Sequence, residues 1–268
     1  MTFSTRTATY RAIIAVMAAL AGGCGSEPAE RIEWIAMGTI AAVQTRGLEI
    51  EETKRIASSV KETLSNVEKL LSARDATSQL RRLETLPDNE ILERCDKEMR
   101  PCYEAAFAFA AESANAFNPR WRGANTLDLG AIAKGFAVDL AAEKIKRNIR
   151  GDVLIDLGGN LKAVHGDWKT SIAGSDAVFL LREGFACATS AEYFRGKHIR
   201  HGATGALPDE SVCSATVISS SAMWADATST LAFILGPDRM EKSQTKRIDG
   251  STIWIMKDGR RITRDAGL

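Results

Sequence analysis

The sequence predicts an α+β fold, a single domain in which helices flank a mixed, mostly antiparallel sheet. Three observations favour this class. Between residues 50 and 71, apolar side chains recur at steps of three and four, which is the spacing of an amphipathic helix. Between residues 168 and 221, several short apolar runs follow in quick succession, so they are expected to pair antiparallel. The last residues predict a hairpin that turns at Lys257-Asp258-Gly259.

The N-terminal residues predict an export signal. Arg6 and Arg11 precede an apolar run of about a dozen residues, which is shorter than the roughly 20 that a bilayer span requires. The run ends in Leu-Ala-Gly-Gly before Cys24, which is similar to the bacterial lipobox, whose cysteine is acylated. A plain cleaved signal and an uncleaved anchor are the alternatives. The expected organisation is a lipoprotein signal peptide over 1–23, a tether over 24–33 and one domain over 34–268, lipid-anchored to a bacterial membrane and facing the periplasm or the exterior.

The first half of the domain is predicted to contain a strand followed by helices. Asp88 or Asn89 is expected to cap a segment that begins at Glu90, because short polar side chains accept from the free N–H groups of a helix start. Pro119 favours a loop, since a proline disfavours helix at the residue before it. The expected ranges are 35–47 for the strand, and 50–71 and 101–115 for helices.

The second half begins at residues 127–139 with Leu-Asp-Leu-Gly-Ala-Ile-Ala-Lys-Gly-Phe-Ala-Val-Asp, predicted to pass from a buried strand end through a turn into a helix. Small residues there allow close packing, and a helix start also presents free N–H groups to an anion such as phosphate. The spacing is neither that of a P-loop nor that of a dinucleotide-binding glycine motif. The expected helices are 133–147 and 222–236, and the expected strands are 152–160, 168–174, 177–183, 185–193, 214–221, 251–256 and 260–264.

Composition and cysteine spacing exclude some classes of function. With 35 Lys and Arg against 34 Asp and Glu, three His and no basic run, the chain offers no electrostatic basis for nucleic-acid binding. Cys95 and Cys102 are seven residues apart, about 10 Å on a continuous helix, so a disulfide between them would require a break at Pro101. None of the cysteine spacings is C-x-x-C, which disfavours a structural zinc site.

Seven short blocks occur in an order that is more specific than any one of them. They are Met-Gly-Thr (37–39), Ala-Phe-Asn-Pro (116–119), the stretch 127–139, Leu-Ile-Asp-Leu-Gly-Gly-Asn (154–160), Ala-Thr-Ser-Ala-Glu-Tyr (188–193), His-Ile-Arg-His-Gly-Ala-Thr-Gly-Ala-Leu-Pro (198–208) and Ala-Asp-Ala-Thr-Ser-Thr (225–230). This ordered series resembles the ApbE family of FAD:protein FMN transferases, formerly called thiamine biosynthesis lipoproteins. The resemblance covers nearly all of the expected mature chain and implies an ApbE-like fold.

The resemblance implies an enzyme that binds FAD and Mg²⁺ and cleaves the pyrophosphate. Such enzymes attach FMN to a Thr or Ser hydroxyl of a partner flavoprotein and release AMP. The acceptors of the family are typically flavin-carrying subunits of membrane redox complexes, or exported flavin domains. Phosphoryl transfer of this kind depends on positioning and charge neutralisation, to which a hard cation with oxygen ligands contributes.

The family's functional positions can be carried onto this chain one at a time. Asp226 and Thr230 match Mg²⁺-binding side chains, and because they are four residues apart they share one face of a helix. Ala131 matches a position whose backbone carbonyl binds the metal. His198 matches a histidine that assists proton removal from the acceptor hydroxyl, with a structural hydrogen-bonding role as the alternative. The matched FAD-contacting positions are Met37, Ala116, Phe117, Asn118, Asp128, Lys134 and Ile199.

The chain departs from the family pattern at four places, one of which is Ala191 in place of a turn glycine. His201 and Gly202 stand where the family has Asp and Pro, and the missing proline is expected to loosen the loop. Arg74 aligns with an aromatic residue that stacks on FAD, and a guanidinium can also stack on a flat ring. Only residues 120–126 separate two blocks between which members usually have a longer segment that covers part of the flavin cleft. These departures leave two alternatives open: an FAD pyrophosphatase that gives FMN and AMP, and a non-catalytic flavin-binding lipoprotein.

Overall fold

The computed structural model describes residues 29–172, 175–191, 199–243, 245 and 250–265. The expected signal peptide, its lipidation site Cys24 and the matched histidine His198 lie outside these ranges. Within them, ten strands form two sheets in which every pairing is antiparallel. The larger sheet contains, in spatial order, β1 Glu30–Ala36, β2 Thr39–Arg46, β3 Asp152–Leu157, β4 Asn160–His165, β7 Ala186–Ala191, β8 Val212–Ser219, β9 Ser251–Met256 and β10 Arg261–Arg264, and the smaller contains β5 Trp168–Ser171 and β6 Val178–Leu181.

Six α-helices accompany the sheets in the described ranges. The first spans Ile50–Leu71, as the periodicity predicts, and buries its apolar stripe. The last leaves helical geometry at Gly236, whose φ is 67°, and Pro237 follows, so the predicted stop is a kink after which the helix resumes. No helix of the described part is both long and apolar enough to cross a membrane. The six are α1 Ile50–Leu71, α2 Gln79–Leu83, α3 Asp88–Arg94, α4 Arg100–Glu112, α5 Ala133–Ile145 and α6 Ala222–Lys242.

The main core lies between the helices and one face of the large sheet. Val153 and Ile155 of β3 belong to this core, whereas Leu154 between them packs with Trp168 and Leu181 of the small sheet. Because successive side chains of a strand point to opposite faces, the helices and the small sheet cover opposite sides of the large one. Within the helical layer, α5 packs against both α1 and α6. This arrangement places the start of α5 beside α6.

The strand predicted over residues 35–47 is a hairpin. β1 begins at Glu30, inside the segment that the sequence assigned to the tether, and pairs with β2 along its whole length. The turn falls at Met37 and Gly38, whose φ values of 49° and 70° reverse the chain. Positive φ at both central residues suits the twist of a two-residue hairpin turn.

Two local predictions are wrong. Leu127 and Leu129 are buried, but no strand forms there. Between them, the N–H of Asp128 donates to the carbonyl of Pro119 at 2.8 Å rather than to a strand neighbour. The α3 helix begins at Asp88 itself, so neither Asp88 nor the next residue caps it. The Asp88 carboxylate instead pairs with Arg120 at 2.8 Å, an interaction that sequence periodicity does not indicate.

The four cysteines of the described ranges are free thiols. Cys95 and Cys102 are both buried, the first just after α3 and the second within α4. Burial raises the pKa of the Cys102 thiol well above its ordinary value, and it does the same for Cys187. Both thiols are therefore neutral in the folded protein at physiological pH, which makes them poor nucleophiles.

Candidate active site

The first turn of α5 lies directly against α6, and Gly135 allows this contact. A Cβ at Gly135 would lie 2.1 Å from the carbonyl oxygen of Ala222 and 2.8 Å from the Cβ of Asp226. Only a residue without a side chain fits at such distances. The glycine that follows Lys134 therefore brings the start of α5 onto the face of α6 that carries Asp226.

The carboxylate of Asp226 is the centre of a buried ionic site. Asp226 is 4% exposed, and its two oxygens accept from Lys134 Nζ at 2.9 and 3.0 Å. Oδ2 also accepts from the N–H of Gly135 at 3.1 Å. That N–H belongs to the first turn of α5, where intrahelical partners are missing and the helix dipole favours negative charge. The helix start that the sequence singled out as an anion site thus contacts a carboxylate of the protein itself.

Asn160 is the third polar side chain of this site. It is 3% exposed and begins β4, immediately after the turn at Gly158 and Gly159. With its amide nitrogen toward Asp226, it donates to Oδ1 at 3.1 Å, and its oxygen accepts from Lys134 Nζ at 3.2 Å. In the reverse orientation, the amide nitrogen donates to the carbonyl of Leu157 at 3.3 Å. The amide oxygen then faces the carboxylate of Asp226, and the amide nitrogen faces the ammonium group of Lys134. The first orientation is therefore the one that the chemistry of the amide supports.

Asp139, at the far end of the stretch 127–139, fixes the start of α6. Its carboxylate accepts from Ser221 Oγ at 2.7 Å and from the N–H groups of Ala222 and Met223, each at 2.9 Å. Ser221 is the N-cap of α6, so these bonds satisfy donors that have no intrahelical partner. The α5 and α6 helices therefore each supply a carboxylate to the N-terminus of the other.

A row of hydroxyl groups lies along α6 beyond Asp226. The Oγ of Ser190 on β7 lies 3.2 Å from the Oγ1 of Thr230 and 2.9 Å from the Oγ of Ser229. Ser229 in turn donates to the backbone carbonyl of Asp226 at 3.0 Å. All three hydroxyl-bearing residues are buried. Thr230 thus shares α6 with Asp226, as the spacing predicts, and its hydroxyl is held by β7.

Two further residues of interest meet at the hairpin turn between β1 and β2. Met37 has a φ of 49°, a left-handed conformation that is uncommon for a residue with a side chain, and its N–H donates to Glu68 Oε2 at 2.9 Å. An Nη1 atom of Arg74 would lie 3.2 Å from a Cβ at Gly38. The guanidinium of Arg74 therefore lies beside the turn that carries Met37, and its role toward a flavin stays a prediction.

The matched residues 116–118 form a loop whose first two side chains face the core. Ala116 and Phe117 are each 3% exposed, and the ring of Phe117 packs edge-on against Phe109 with 5.1 Å between centroids. Asn118 turns the chain, since its Oδ1 accepts from the N–H of Arg120 at 2.8 Å. The side chains of Ala116 and Phe117 are therefore part of the core rather than of an open surface.

Gly202 holds the later loop to this segment. Its N–H donates to the carbonyl of Ala116 at 2.8 Å, and a Cβ there would lie 2.3 Å from the Cβ of Asn118. A proline has no N–H and carries a Cβ, so it would neither bond nor fit here. The glycine thus permits a hydrogen bond and a close contact that a proline would not, and whether the loop is looser than in the family stays a prediction. Beside it, burial lowers the pKa of His201, and the charge of Arg239 lowers it further.

The structure brings some of the predicted residues together and leaves others in separate groups. Lys134 and Asp226 are in direct contact, and Ala131 lies in the turn that precedes α5. In the same turn, Asp128 Oδ1 accepts from the N–H of Gly130 at 2.8 Å. Ile199 packs against the main core. Sequence reasoning gave no role to three polar residues of the seven blocks, which are Asp139, Asn160 and Ser190. Each stands among apolar neighbours, and this placement could have marked them as buried polar residues.

Oxygen atoms converge on the ammonium group of Lys134. Besides both Asp226 oxygens, it contacts the carbonyl of Gly130 at 3.4 Å and the amide oxygen of Asn160. Carboxylate, amide and carbonyl oxygens are the ligands that Mg²⁺ takes, usually with one or two carboxylates and with substrate phosphates. Within the described ranges, no three His, Cys, Asp or Glu side chains come together, so Asp226 would be the carboxylate of such a site. These oxygen types are those that Mg²⁺ takes beside a phosphate, and in this structure they surround the ammonium group of Lys134.

The sequence matches one family and several of its named members. A model of the ApbE family matches residues 121–252, which include Lys134 and Asp226. An FAD:protein FMN transferase of Klebsiella pneumoniae is 33% identical over 146 residues, which cover 49% of this chain and 46% of that protein. One of Haemophilus influenzae is 31% identical over 133 residues, which cover 42% of this chain and 38% of that protein. The chain therefore spans less than half the length of the curated relatives it matches.

Solved structures resemble the chain over most of its length. The apo form of the flavinyl transferase ApbE from Pseudomonas stutzeri matches with a TM-score of 0.72 at 20% identity, covering 91% of this chain and 96% of that one. The ApbE protein of Thermotoga maritima matches with a TM-score of 0.71 at 20% identity, covering 89% and 97%. This likeness concerns the fold, and it confirms the predicted α+β class.

Proposed function

We propose that the chain is a member of the ApbE family, whose model matches residues 121–252, and that it is a Mg²⁺-dependent FAD:protein FMN transferase. The observation that carries the proposal is the buried contact of Lys134 with Asp226 at the first turn of α5. It joins a lysine, a carboxylate and a helix N-terminus, which together suit a pyrophosphate and its cation. Both residues lie within the stretch that matches the family model.

In the proposed reaction, the pyrophosphate of FAD lies at the start of α5. Lys134 stays beside Asp226 and donates a further N–H to the phosphate oxygens, so that its charge acts on the substrate. Asp226, Thr230 and the carbonyl of Ala131 would then hold Mg²⁺, which when bound neutralises the pyrophosphate and stabilises the leaving AMP. The flavin half would contact the remaining matched positions, with Arg74 beside the Met37 turn in place of a stacking aromatic ring.

The bond changes are those of a single phosphoryl transfer. The hydroxyl oxygen of a Thr or Ser on the acceptor forms a bond to the phosphorus of the FMN half. The bond from that phosphorus to the bridging oxygen breaks, and AMP leaves with that oxygen. His198 takes the hydroxyl proton as general base. The products are the FMN-carrying acceptor and AMP.

The proposal includes a location outside the cytoplasm, with the protein held on a membrane by lipid at Cys24. β1 begins at Glu30, six residues after this cysteine, and six residues of extended chain span at most about 20 Å. So short a link keeps the transferase close to the membrane surface. We therefore propose that its acceptor is a flavoprotein subunit or domain on the same side of that membrane.

Formation of AMP from FAD tests the proposal. The purified chain is incubated with FAD and Mg²⁺, with and without an acceptor flavoprotein domain, and the nucleotides are separated by chromatography. A transferase releases AMP only when both Mg²⁺ and the acceptor are present. AMP and FMN formed without an acceptor would identify an FAD pyrophosphatase instead. FAD binding without AMP in any mixture would identify a flavin-binding lipoprotein.

A further inference from the structure

We propose that Asn160 is a positioning residue that sets Lys134 for the pyrophosphate. The inference rests on the proposed function, because it concerns the lysine that receives the substrate. Asn160 contacts both charged groups of the site at once, with its nitrogen 3.1 Å from Asp226 Oδ1 and its oxygen 3.2 Å from Lys134 Nζ. Lys134 and Asp226 are also bonded to each other, so the three side chains close a ring of hydrogen bonds.

The three members of this ring differ in rigidity. Asn160 has a short side chain, and its backbone is paired with Leu157 on one side and with Ala188 on the other. Lys134 reaches the ring through a long side chain that is 17% exposed. Fixing such a long side chain costs more rotamer entropy than fixing a short one. Asn160 is therefore the more rigid partner, and its hydrogen bond restricts the side chain of Lys134.

The amide group is suited to this position by its chemistry. It presents a donor to the carboxylate of Asp226 and, from the same planar group, an acceptor to the ammonium of Lys134. Leucine has nearly the same shape and offers neither group. Asn160→Leu therefore removes both hydrogen bonds with little change in volume.

A positioning role and a purely structural role predict different results. If Asn160 only stabilises the local fold, its loss should weaken FAD binding equally whether or not Lys134 is present. If Asn160 acts by holding Lys134, its loss should matter only when the lysine is there. A double-mutant cycle over the two residues measures this difference directly.

The experiment measures FAD affinity by flavin fluorescence, with Mg²⁺ and without an acceptor, in the full chain. The wild type is compared with Asn160→Leu, Lys134→Met and the double variant. We expect Asn160→Leu to weaken FAD binding about tenfold, the size of one hydrogen bond to a charged group. Added to Lys134→Met, the same change should weaken binding no more than about twofold.

Thr252→Val is the matched control, because it alters a buried side chain on β9 whose hydroxyl has no hydrogen-bond partner within the described residues. It should bind FAD as the wild type does. Asn160→Ala takes the place of the leucine variant in the cycle if circular dichroism shows that the latter does not fold. Equal affinity of the wild type and Asn160→Leu, or the same loss in both backgrounds, overturns the inference alone. A wild-type chain that binds no FAD overturns the proposed function itself.

Discussion

Lys134 and Gly135 are neighbours in the chain and depend on each other in the fold. Gly135 lets α5 approach α6, and this approach buries the carboxylate of Asp226. A buried carboxylate is strongly unfavourable without a partner, and Lys134 supplies one. The sequence offered two explanations for these small residues, close packing and a bound phosphate. Gly135 confirms the close packing, and its N–H donates to the carboxylate of Asp226, whereas phosphate binding stays a prediction.

Arg74 provides a prediction at the scale of one residue. We expect Arg74→Tyr to tighten FAD binding about fivefold, because an aromatic ring stacks on a flavin over a larger area than a guanidinium does. The measurement is a fluorescence titration of FAD into the wild type and the variant. Arg82→Tyr is the control: it changes a different exposed arginine, which lies on α2, and should leave the affinity unchanged. Equal affinities for the wild type and Arg74→Tyr would remove Arg74 from the flavin site.

At the scale of elements, α5 and α6 are joined by carboxylates placed at each other's N-terminus. Asp226 accepts from the first turn of α5, and Asp139 accepts from the first turn of α6. Both interactions cross between elements that are far apart in sequence. They align the two helices along their length, and this alignment positions Asp226 and Thr230 on α6 relative to Lys134 on α5.

Asp139 is therefore expected to matter for stability. Asp139→Ala removes three hydrogen bonds to a carboxylate at the start of α6 and should lower the free energy of unfolding by about 2–3 kcal/mol. Urea denaturation followed by circular dichroism measures the change. The control is Asp258→Ala, which removes an exposed carboxylate bonded within its own turn and should lower the free energy of unfolding far less than Asp139→Ala does. Similar losses for the two variants would refute the role assigned to Asp139.

Gly202 leads to a prediction that runs against the family pattern. Gly202→Pro should lower the melting temperature by about 5 °C or more, since it removes the bond to Ala116 and forces a Cβ against Asn118. Gly202→Ala, which keeps the N–H but adds the Cβ, should fall between the wild type and the proline variant. Differential scanning calorimetry distinguishes the three chains. A higher melting temperature for Gly202→Pro would show that the loop accepts the family's residue.

At the scale of the whole molecule, buried thiols predict how stability varies with pH. Burial raises the pKa of Cys102 and of Cys187 above the ordinary value of 9.0, and the charge of Asp156 adds to the effect at Cys187. The unfolded chain therefore releases protons above about pH 9 that the folded chain retains, so stability holds below that pH and falls above it.

The expected loss is up to about 1.4 kcal/mol per pH unit for each thiol. Urea denaturation at pH 8, 9 and 10 under reducing conditions measures it. In the double variant Cys102→Ala/Cys187→Ala, the decline should be shallower, although the starting stability is lower because cavities form. A decline of the same slope in both proteins would contradict this assignment.

The sequence predicted those parts of the molecule whose pattern is local. The α1 helix and the C-terminal hairpin follow from periodicity and turn residues, and both are confirmed. The five-residue α2 helix and the β4 strand were missed because short segments give weak patterns. The site was harder, since Lys134 and Asp226 are 92 residues apart and only the fold makes them neighbours. The family resemblance named both residues, but it gave no indication that Asn160 lies between them.

The intact mass of an acceptor flavoprotein tests the central claim most directly, namely that the site of Lys134 and Asp226 transfers FMN. The acceptor is incubated with FAD, Mg²⁺ and either the wild type, Asp226→Asn or the control Asp258→Asn. We predict a gain of one FMN per acceptor with the wild type and the control, and no gain with Asp226→Asn or with a chelator present. An acceptor that gains FMN equally with Asp226→Asn would contradict the account.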